Sequence, residues 1–574
     1  MAGSTETDWV SRFADDVIAE SERRAPGKPV VVASGLSPSG PIHLGNLREV
    51  MTPHLVADEI RRRGHEVRHL ISWDDYDRYR KVPNGVEGVD ESWAEHIGKP
   101  LTSVPAPAGS PYPSWAEHFK AQMSASLAEL GVEYDGISQT AQYTAGAYRE
   151  QVLHAMRHRA DIDAILEQYR TKKAPAKQSQ KPVDDAELAA EEGSGAAEED
   201  DGSGSGAGYF PYKPYCGQCG KDLTTVTAYD EETTELTYTC VCGHGETVLL
   251  SEFNRGKLVW KVDWPMRWAY EGVVFEPSGV DHSSPGSSFQ VGGQIVGPIF
   301  GGQQPIGPMY AFVGISGMAK MSSSKGGVPV PADALRIMEP QILRWLYARR
   351  RPNQSFKIAF DQEIQRLYDE WDALTRKVDE GSALPGDVAA YARAAGTAAG
   401  ELPRTPRPLP YRTLASVADI TAGAEQQTLR ILSELDPDRP LASLDEVRPR
   451  LDRAEAWISS QVPAEQRTVV RAEPDTARLA ALDDGERGAL KLLADRLGSH
   501  WSLDGLTTLV YAVPKVQAGL APDAKPTPEL KVAQRSFFAL LYELLVGRDT
   551  GPRLPTLLLA VGQDRVRTLL GADA

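Results

Sequence analysis

The sequence predicts an α/β protein: a doubly wound parallel sheet, interrupted by an inserted cysteine-bearing β element and followed by an all-helical C-terminal domain. Three observations carry this. A β-branched run opens onto a Gly/Ser/Pro-rich loop, a helix pattern and a second strand. All four cysteines fall between positions 216 and 242, in β-rich sequence. From Pro331 onward, apolar residues recur with helical spacing.

The first unit is the most informative. Pro29–Ser34 (PVVVAS) reads as a buried strand, and Gly35 to Ile42 is a loop of Gly, Ser and Pro. His43-Leu44-Gly45-Asn46 then starts a helix that ends at Arg61-Arg62-Arg63-Gly64, with basic residues in the last turn and Gly at the exit. Pro53 predicts a kink inside that helix. His65–Trp73 is the next strand and runs into Asp74, Asp75 and Asp77. In such a sheet the loop lies above the carboxyl edge, where ligands bind. A loop at a helix start presents free N–H groups and a positive dipole end, which suits phosphate. His43 can donate to a phosphoryl oxygen, Gly45 lets a planar base lie on the backbone, and Asn46 adds a neutral donor. Neither a GxxxxGK[ST] loop nor GxGxxG is present here.

Residues 172–208 carry nine acidic and four basic side chains, almost no large apolar ones, and end in Gly/Ser repeats; they predict a disordered surface insertion. Next comes the cysteine element, 209–250. Cys216-x2-Cys219 and Cys240-x-Cys242 flank a predicted hairpin at 222–239, the arrangement of a structural, tetrahedral Zn²⁺ site, with Cys240 and His244 as the alternative second pair. Far downstream, Lys320-Met321-Ser322-Ser323-Ser324-Lys325-Gly326-Gly327 is a Gly-flanked loop able to close lysines over a triphosphate. Helices follow over 331–385 and 386–574, with Leu402–Pro410 (LPRTPRPLP) as an internal boundary.

Length and composition agree with this layout. The 574 residues suggest about three or four domains. At 41% hydrophobic and 25% charged, the chain excludes a collagen, a coiled-coil rod and disorder throughout. No run approaches the about 18 apolar residues of a membrane span. The first residues lack a secretory leader, and four cysteines are too few for a disulfide framework, so a cytoplasmic protein is expected. The net charge of −17 argues against coating DNA but leaves room for local basic surfaces that select RNA. Arg344, Arg349-Arg350-Arg351 and Lys357 form one such candidate surface.

PSGxxHLGN (Pro38-Ser39-Gly40 through His43, Gly45 and Asn46) together with KMSSSK (320–325) resembles the HIGH and KMSKS signatures of class I aminoacyl-tRNA synthetases. The second lysine of KMSKS would fall at Ser323, with Lys325 two places later. HLISWDDYDRYRKVP (69–83), Trp260–Trp268, Phe275–His282 and FFALLYELLVGRDTGPRL (537–554) resemble the class I lysyl-tRNA synthetases, over nearly the whole chain except 172–208. The resemblance implies a Rossmann-type catalytic domain over 1–330, with the disordered segment and a zinc-ribbon-like element inserted. It also implies a stem-contact region over 331–385 and an anticodon-binding domain over 386–574.

The implied activity is lysine–tRNA ligation: ATP and Mg²⁺ activate L-lysine to lysyl-adenylate, and the lysyl group passes to the terminal ribose of tRNA(Lys). His43, Asn46, Lys320 and Lys325 would be catalytic. ATP would meet Pro38, Ser39, Gly40, His43, Gly45, Asn46, Asp281, Lys320, Met321, Ser322, Ser323 and Ser324. Lysine would meet Gly35, Ser37, Asp74, Asp75, Trp260, His282 and Tyr310, with His282 also placed to touch the adenosine ribose. Carboxylates and aromatic faces suit a cationic side chain. The nearest alternatives are a glutamyl-type enzyme, disfavoured by Ala33 where that family has an Arg, and a paralogue that adenylates lysine for a non-tRNA acceptor. Some members of the family carry a further metal site on a Cys-His pair; Ser110 and Pro111 occupy the corresponding stretch, so one zinc is expected. A monomer is the default expectation.

Overall fold

A computed structural model describes residues 8–170, 208–283, 286–317, 328–525 and 527–571. The segment predicted as disordered therefore lies outside the described residues, apart from Gly208. Strands β1 (Val30–Leu36), β2 (Val67–Trp73) and β3 (Asp135–Ser138) form a parallel sheet in that order. β1 and β2 are in register from Val30↔Val67 to Leu36↔Trp73. On the other side of β1, Phe275 makes a parallel bridge to Val32 and another to Ile306, so the sheet extends both ways from its first strand. The order of strands reverses at β1, which opens a crevice beyond its carboxyl end.

Side chains alternate across this sheet, as the two-residue period of a strand requires. Val30 and Val32 pack into a core with α1 (Trp9–Arg24) and α2 (Leu47–Arg62), whereas Val31, Ala33 and Leu70 pack with Trp264, Trp268 and Val296. Helices thus cover both faces. α1 starts at Asp8, whose carboxylate accepts from the N–H groups of Val10 and Ser11. α2 runs through Pro53 and ends before Gly64, which takes φ +85°.

The cysteine element is a three-stranded antiparallel sheet, Thr224–Tyr229, Glu235–Cys240 and Gly245–Leu249. Its buried side packs with residues of helices Arg149–Arg157 and Arg159–Arg170 in a second core. Two ties bind it to the loop after β2: the Tyr215 hydroxyl donates to the Tyr76 carbonyl, and Asp222 N–H to the Gly98 carbonyl at 2.8 Å.

The helices from Pro331 form two bodies of packing. Those between Pro331 and Gln461 share the core of β1 and α2, through Leu343, Tyr368, Tyr411, Leu414 and Trp457. Residues from Leu482 to Leu570 build a separate core. Position 386 falls inside helix Pro385–Ala395, whose Ala390 and Ala394 belong to the first body.

Arg344 corrects one expectation. It is 0% exposed and cannot meet RNA phosphates. Its guanidinium donates to the carbonyls of Leu130 (2.7 Å) and Arg393 (2.7 Å), at the C-terminal ends of two helices, and contacts the His54 ring at 2.9 Å. Carbonyls at helix ends lack partners and carry the negative end of the dipole, so a buried arginine there acts as a strut. Arg349 lies over the Trp345 ring at 3.9 Å, whereas Arg351 and Lys357 are exposed.

Candidate active site

A cavity of about 630 Å³ opens beyond the carboxyl end of β1. Gly35, Ser37, Asn46, Asp74, Trp260 and His282, all singled out from sequence, line it. Trp260 stacks on Trp264 with ring centroids 5.0 Å apart, and the His282 ring meets Trp264 edge-on at 5.8 Å. The Tyr310 hydroxyl reaches the same wall and donates to Glu49 Oε2 at 3.0 Å.

Three carboxylates converge here, two of which sequence reasoning had not singled out. Glu49, in the first turn of α2, also accepts from Gly35 N–H at 3.3 Å. Glu276 accepts from the indoles of Trp264 (3.1 Å) and Trp268 (2.6 Å). A methyl group on Gly35 would stand 3.7 Å from Glu49 Oε1 and 3.9 Å from Asp74 Oδ2, so a residue without a side chain leaves a slot walled by two carboxylates. Burial first, with the acidic neighbours adding to it, pushes the carboxyls up, Glu49 to about 8, Glu276 to about 7 and Asp74 to about 6. The slot is short of positive charge.

Asp75 does not line the cavity: it is fully buried, accepts from Lys120 at 3.0 Å and from Thr140 N–H at 2.8 Å, and ties the loop to α3 (Trp115–Glu129). Its neighbour Asp77 does line it, as do Lys257, Arg78, Arg80 and Lys213 at the cationic end. Glu276 had one sequence signal, an acid inside an apolar run; Glu49 had none, since acids are ordinary in a first helical turn.

The loop from Pro38 to Asn46 ends in a single 3₁₀ turn, Leu44–Asn46, that leads into α2. The Ser39 carbonyl accepts from Trp115 Nε1 at 3.0 Å, and Gly40 faces Pro83. Burial lowers the basicity of His43, while its ring hydrogen-bonds the Val328 backbone. Next to it, Leu44 N–H donates to the Pro329 carbonyl at 2.7 Å. Lys320, Met321, Ser322, Ser323, Ser324 and Lys325 lie outside the described residues, as does the Asp281 side chain. Val328 and Pro329, the first described residues after it, contact His43 and Leu44.

Comparison with known proteins decides the family. The family model for class I (K) tRNA synthetases matches residues 7–393. The chain belongs to this family. A lysine–tRNA ligase of Streptomyces coelicolor is 82% identical, with 100% of this chain and 99% of the relative covered. Those of Pyrococcus horikoshii and Treponema pallidum are each 31% identical, covering 97% and 98% of this chain and 98% of each relative.

In this synthetase the four cysteine sulfurs lie within 4.8 Å of one another, with Cys216–Cys242 and Cys219–Cys240 both at 3.7 Å. Metal–sulfur bonds of about 2.3 Å in a tetrahedron put sulfurs about 3.8 Å apart, so the donor set fits Zn²⁺. The His244 side chain turns to Glu246 (3.7 Å) and leaves the fourth corner to Cys242, whose thiol is lowered to about 7, chiefly by the His244 backbone N–H. Among the described residues no helix is long and apolar enough to cross a membrane.

Proposed function

We propose that this synthetase is a lysine–tRNA ligase. The observation that carries the proposal is the carboxylate-walled slot at Gly35, beside the loop of His43 and Asn46. A lysine ε-ammonium between Glu49 and Asp74 would supply the missing charge, with its alkyl stem against Trp260 and the Tyr310 ring closing the end. The full-length likeness to lysine–tRNA ligases supports the same substrate. A glutamate side chain would bring a fourth carboxylate to Glu49, Asp74 and Glu276, which like-charge repulsion opposes.

The lysine carboxylate attacks the α-phosphorus of ATP in line; a P–O bond forms to lysine and the bond to pyrophosphate breaks. The terminal ribose hydroxyl of tRNA(Lys) then attacks the adenylate carbonyl, and AMP leaves. His43 donates to the phosphoryl oxygens as charge builds, and Asn46 adds a neutral donor. Pro38, Ser39, Gly40 and Gly45 shape the nucleotide floor, and Asp281 and His282 are assigned to binding the ribose. Lys320 and Lys325, with Met321 and Ser322–Ser324, complete the triphosphate site. Bound Mg²⁺ supplies charge neutralisation at the phosphates. Helices on both faces of a parallel sheet that reverses at β1 support a Rossmann-type domain, and the paired cysteines a zinc-ribbon-like insert with structural Zn²⁺. The helical region carries tRNA recognition.

The test is lysine-dependent ATP–pyrophosphate exchange measured across the twenty amino acids, then charging of tRNA(Lys). Exchange with lysine alone is expected; exchange with glutamate, or none with lysine, overturns the proposal.

A further inference from the structure

Arg267 touches neither the nucleotide loop nor the open part of the cavity, yet it is only 6% exposed and holds the carboxylate end of the slot. It sits on helix Trp260–Glu271. Nη1 donates to Asp74 Oδ1 at 2.7 Å and to Ser72 Oγ at 2.8 Å. Nη2 donates to the fully buried Asp263, and the guanidinium lies 5.5 Å from the Trp260 ring centroid. With Oδ1 pinned, Oδ2 is the oxygen of Asp74 left toward Gly35.

The contacts continue as alternating charge. Asp263 also accepts from the Tyr143 hydroxyl and lies 3.7 Å from Lys257 Nζ. Lys257 pairs with Asp77, three residues beyond Asp74 on the same loop. Asp74, Arg267, Asp263, Lys257 and Asp77 thus close a ring that fastens the loop after β2 to the helix carrying Trp260. A guanidinium suits its centre, because a planar fork can hold two carboxylates at once where an ammonium is a single point.

We propose that Arg267 is a positioning residue for amino-acid recognition: it orients Asp74 and keeps it anionic, so that its free oxygen meets the substrate ammonium. The inference rests on the lysine slot proposed above. The groups facing Asp74 are the cations Arg267 and Lys257 and the acids Asp77, Glu49 and Glu276. Without Arg267, burial and three acids act against Lys257 alone, and Asp74 takes up a proton near neutral pH. Glu276 has its own two indole donors and cannot substitute for Asp74.

The experiment compares the full-length wild type with Arg267→Gln, Arg267→Lys, Asp74→Asn and the Asp74→Asn/Arg267→Gln double variant. Lysine KM and kcat in pyrophosphate exchange are measured at pH 6.5 and 8.5. Removing a guanidinium beside an Asp moves its titration by about 1–3 pH units, so Arg267→Gln should raise lysine KM about tenfold or more at pH 6.5 and less at pH 8.5. The kcat at saturating lysine should hold within about threefold, as expected when binding rather than the chemical step is lost. Arg267→Lys keeps the charge but not the fork, so it should restore the pH dependence towards wild type while recovering only part of the loss in KM. Because Arg267 acts through Asp74, Arg267→Gln should add little to Asp74→Asn. An equal loss in both backgrounds, or a loss that does not depend on pH, overturns the inference and leaves Arg267 a packing residue. An unchanged KM in Asp74→Asn overturns the slot itself, a different failure. Should Arg267→Gln not fold, Asp263→Asn takes its place: it frees one side of the fork and should raise KM more weakly, with the same dependence on Asp74, and an unchanged KM counts against the inference.

Discussion

Glu49 gives the sharpest test of the slot. Its carboxyl is pushed up to about 8 by burial, with the acids Glu276 and Asp74 adding to the shift and the Tyr310 hydroxyl and Gly35 N–H holding it back. With that value, about one molecule in a hundred carries Glu49 ionised at pH 6 and about half at pH 8, so affinity for an ammonium through this carboxylate rises up to about fiftyfold across that interval. The lysine ε-amine stays charged throughout, since it titrates near about 10.4. Lysine KM in pyrophosphate exchange should therefore fall as pH rises from 6 to 8. The stability of the free protein should move the other way. An acid raised in the folded state contributes stability that is full below its ordinary value of 4.5 and lost as pH climbs towards about 8. Added lysine should consequently raise the melting temperature more at pH 8 than at pH 6. Glu49→Gln keeps an acceptor for Gly35 and a partner for Tyr310 but loses the charge. A hydrogen bond to a charged group contributes about 1.5–3 kcal/mol, so KM at pH 8 should rise about ten- to a hundredfold and its pH dependence should flatten. A Glu49→Gln enzyme within threefold of wild type at pH 8, with the same pH profile, would refute the reasoning.

His43→Ala should slow adenylation by about 10²–10³-fold, the scale of one lost transition-state donor, and an effect under about fivefold removes His43 from the mechanism. Elemental analysis of protein purified without chelator should find one zinc per chain, and Cys216→Ser should lower the melting temperature rather than selectively abolish exchange; two equivalents would contradict the reading of Ser110 and Pro111. Replacing 172–208 by a short Gly/Ser linker should leave exchange nearly unchanged, since the segment lacks apolar residues to pack; loss of folding would show that it docks. Truncation at 386 should unfold the protein by stripping Tyr411, Leu414 and Trp457 from the core of the sheet, whereas truncation after Gln466 should leave exchange measurable while charging falls; soluble, active protein from the first cut would show that the shared core is dispensable.

The parts of this molecule legible in the sequence are those written in local pattern. The strand at Val30, the Gly64 exit of α2 and the cysteine hairpin depend on neighbours in the chain, and they lie where the pattern puts them. The family motifs led to Gly35, Ser37, Asn46, Asp74, Trp260 and His282, and the fold brings all six to one cavity. Long-range pairing was not legible. Asp74 and Asp75 are neighbours of the same type at a strand end, yet one faces Gly35 and the other is taken up by Lys120 from α3. Arg344 looked like the surface arginines near it because nothing local reveals that two helix ends converge on its side chain. The division of the helical half was hidden for the same reason: helix periodicity marks each buried face but not which core receives it.

The electrostatics of the slot make a single argument out of these contacts. Burying three carboxylates together is costly, and a fold that needed only stability would replace them with apolar side chains. Each is instead partly satisfied by a different kind of donor: Glu276 by two indoles, Glu49 by a hydroxyl and a backbone N–H, and Asp74 by a guanidinium. Among the described residues no lysine is bonded to any of the three, because Lys257 is drawn to Asp77 and Lys120 to Asp75. The deficit therefore remains at Gly35, where the backbone carries no side chain and two carboxylates face the space a Cβ would take. A neutral or anionic amino acid cannot offset it. On the proposed function, a cationic one would also have to fit against Tyr310 and Trp260, so that charge would select the class of substrate and the aromatic side chains its length.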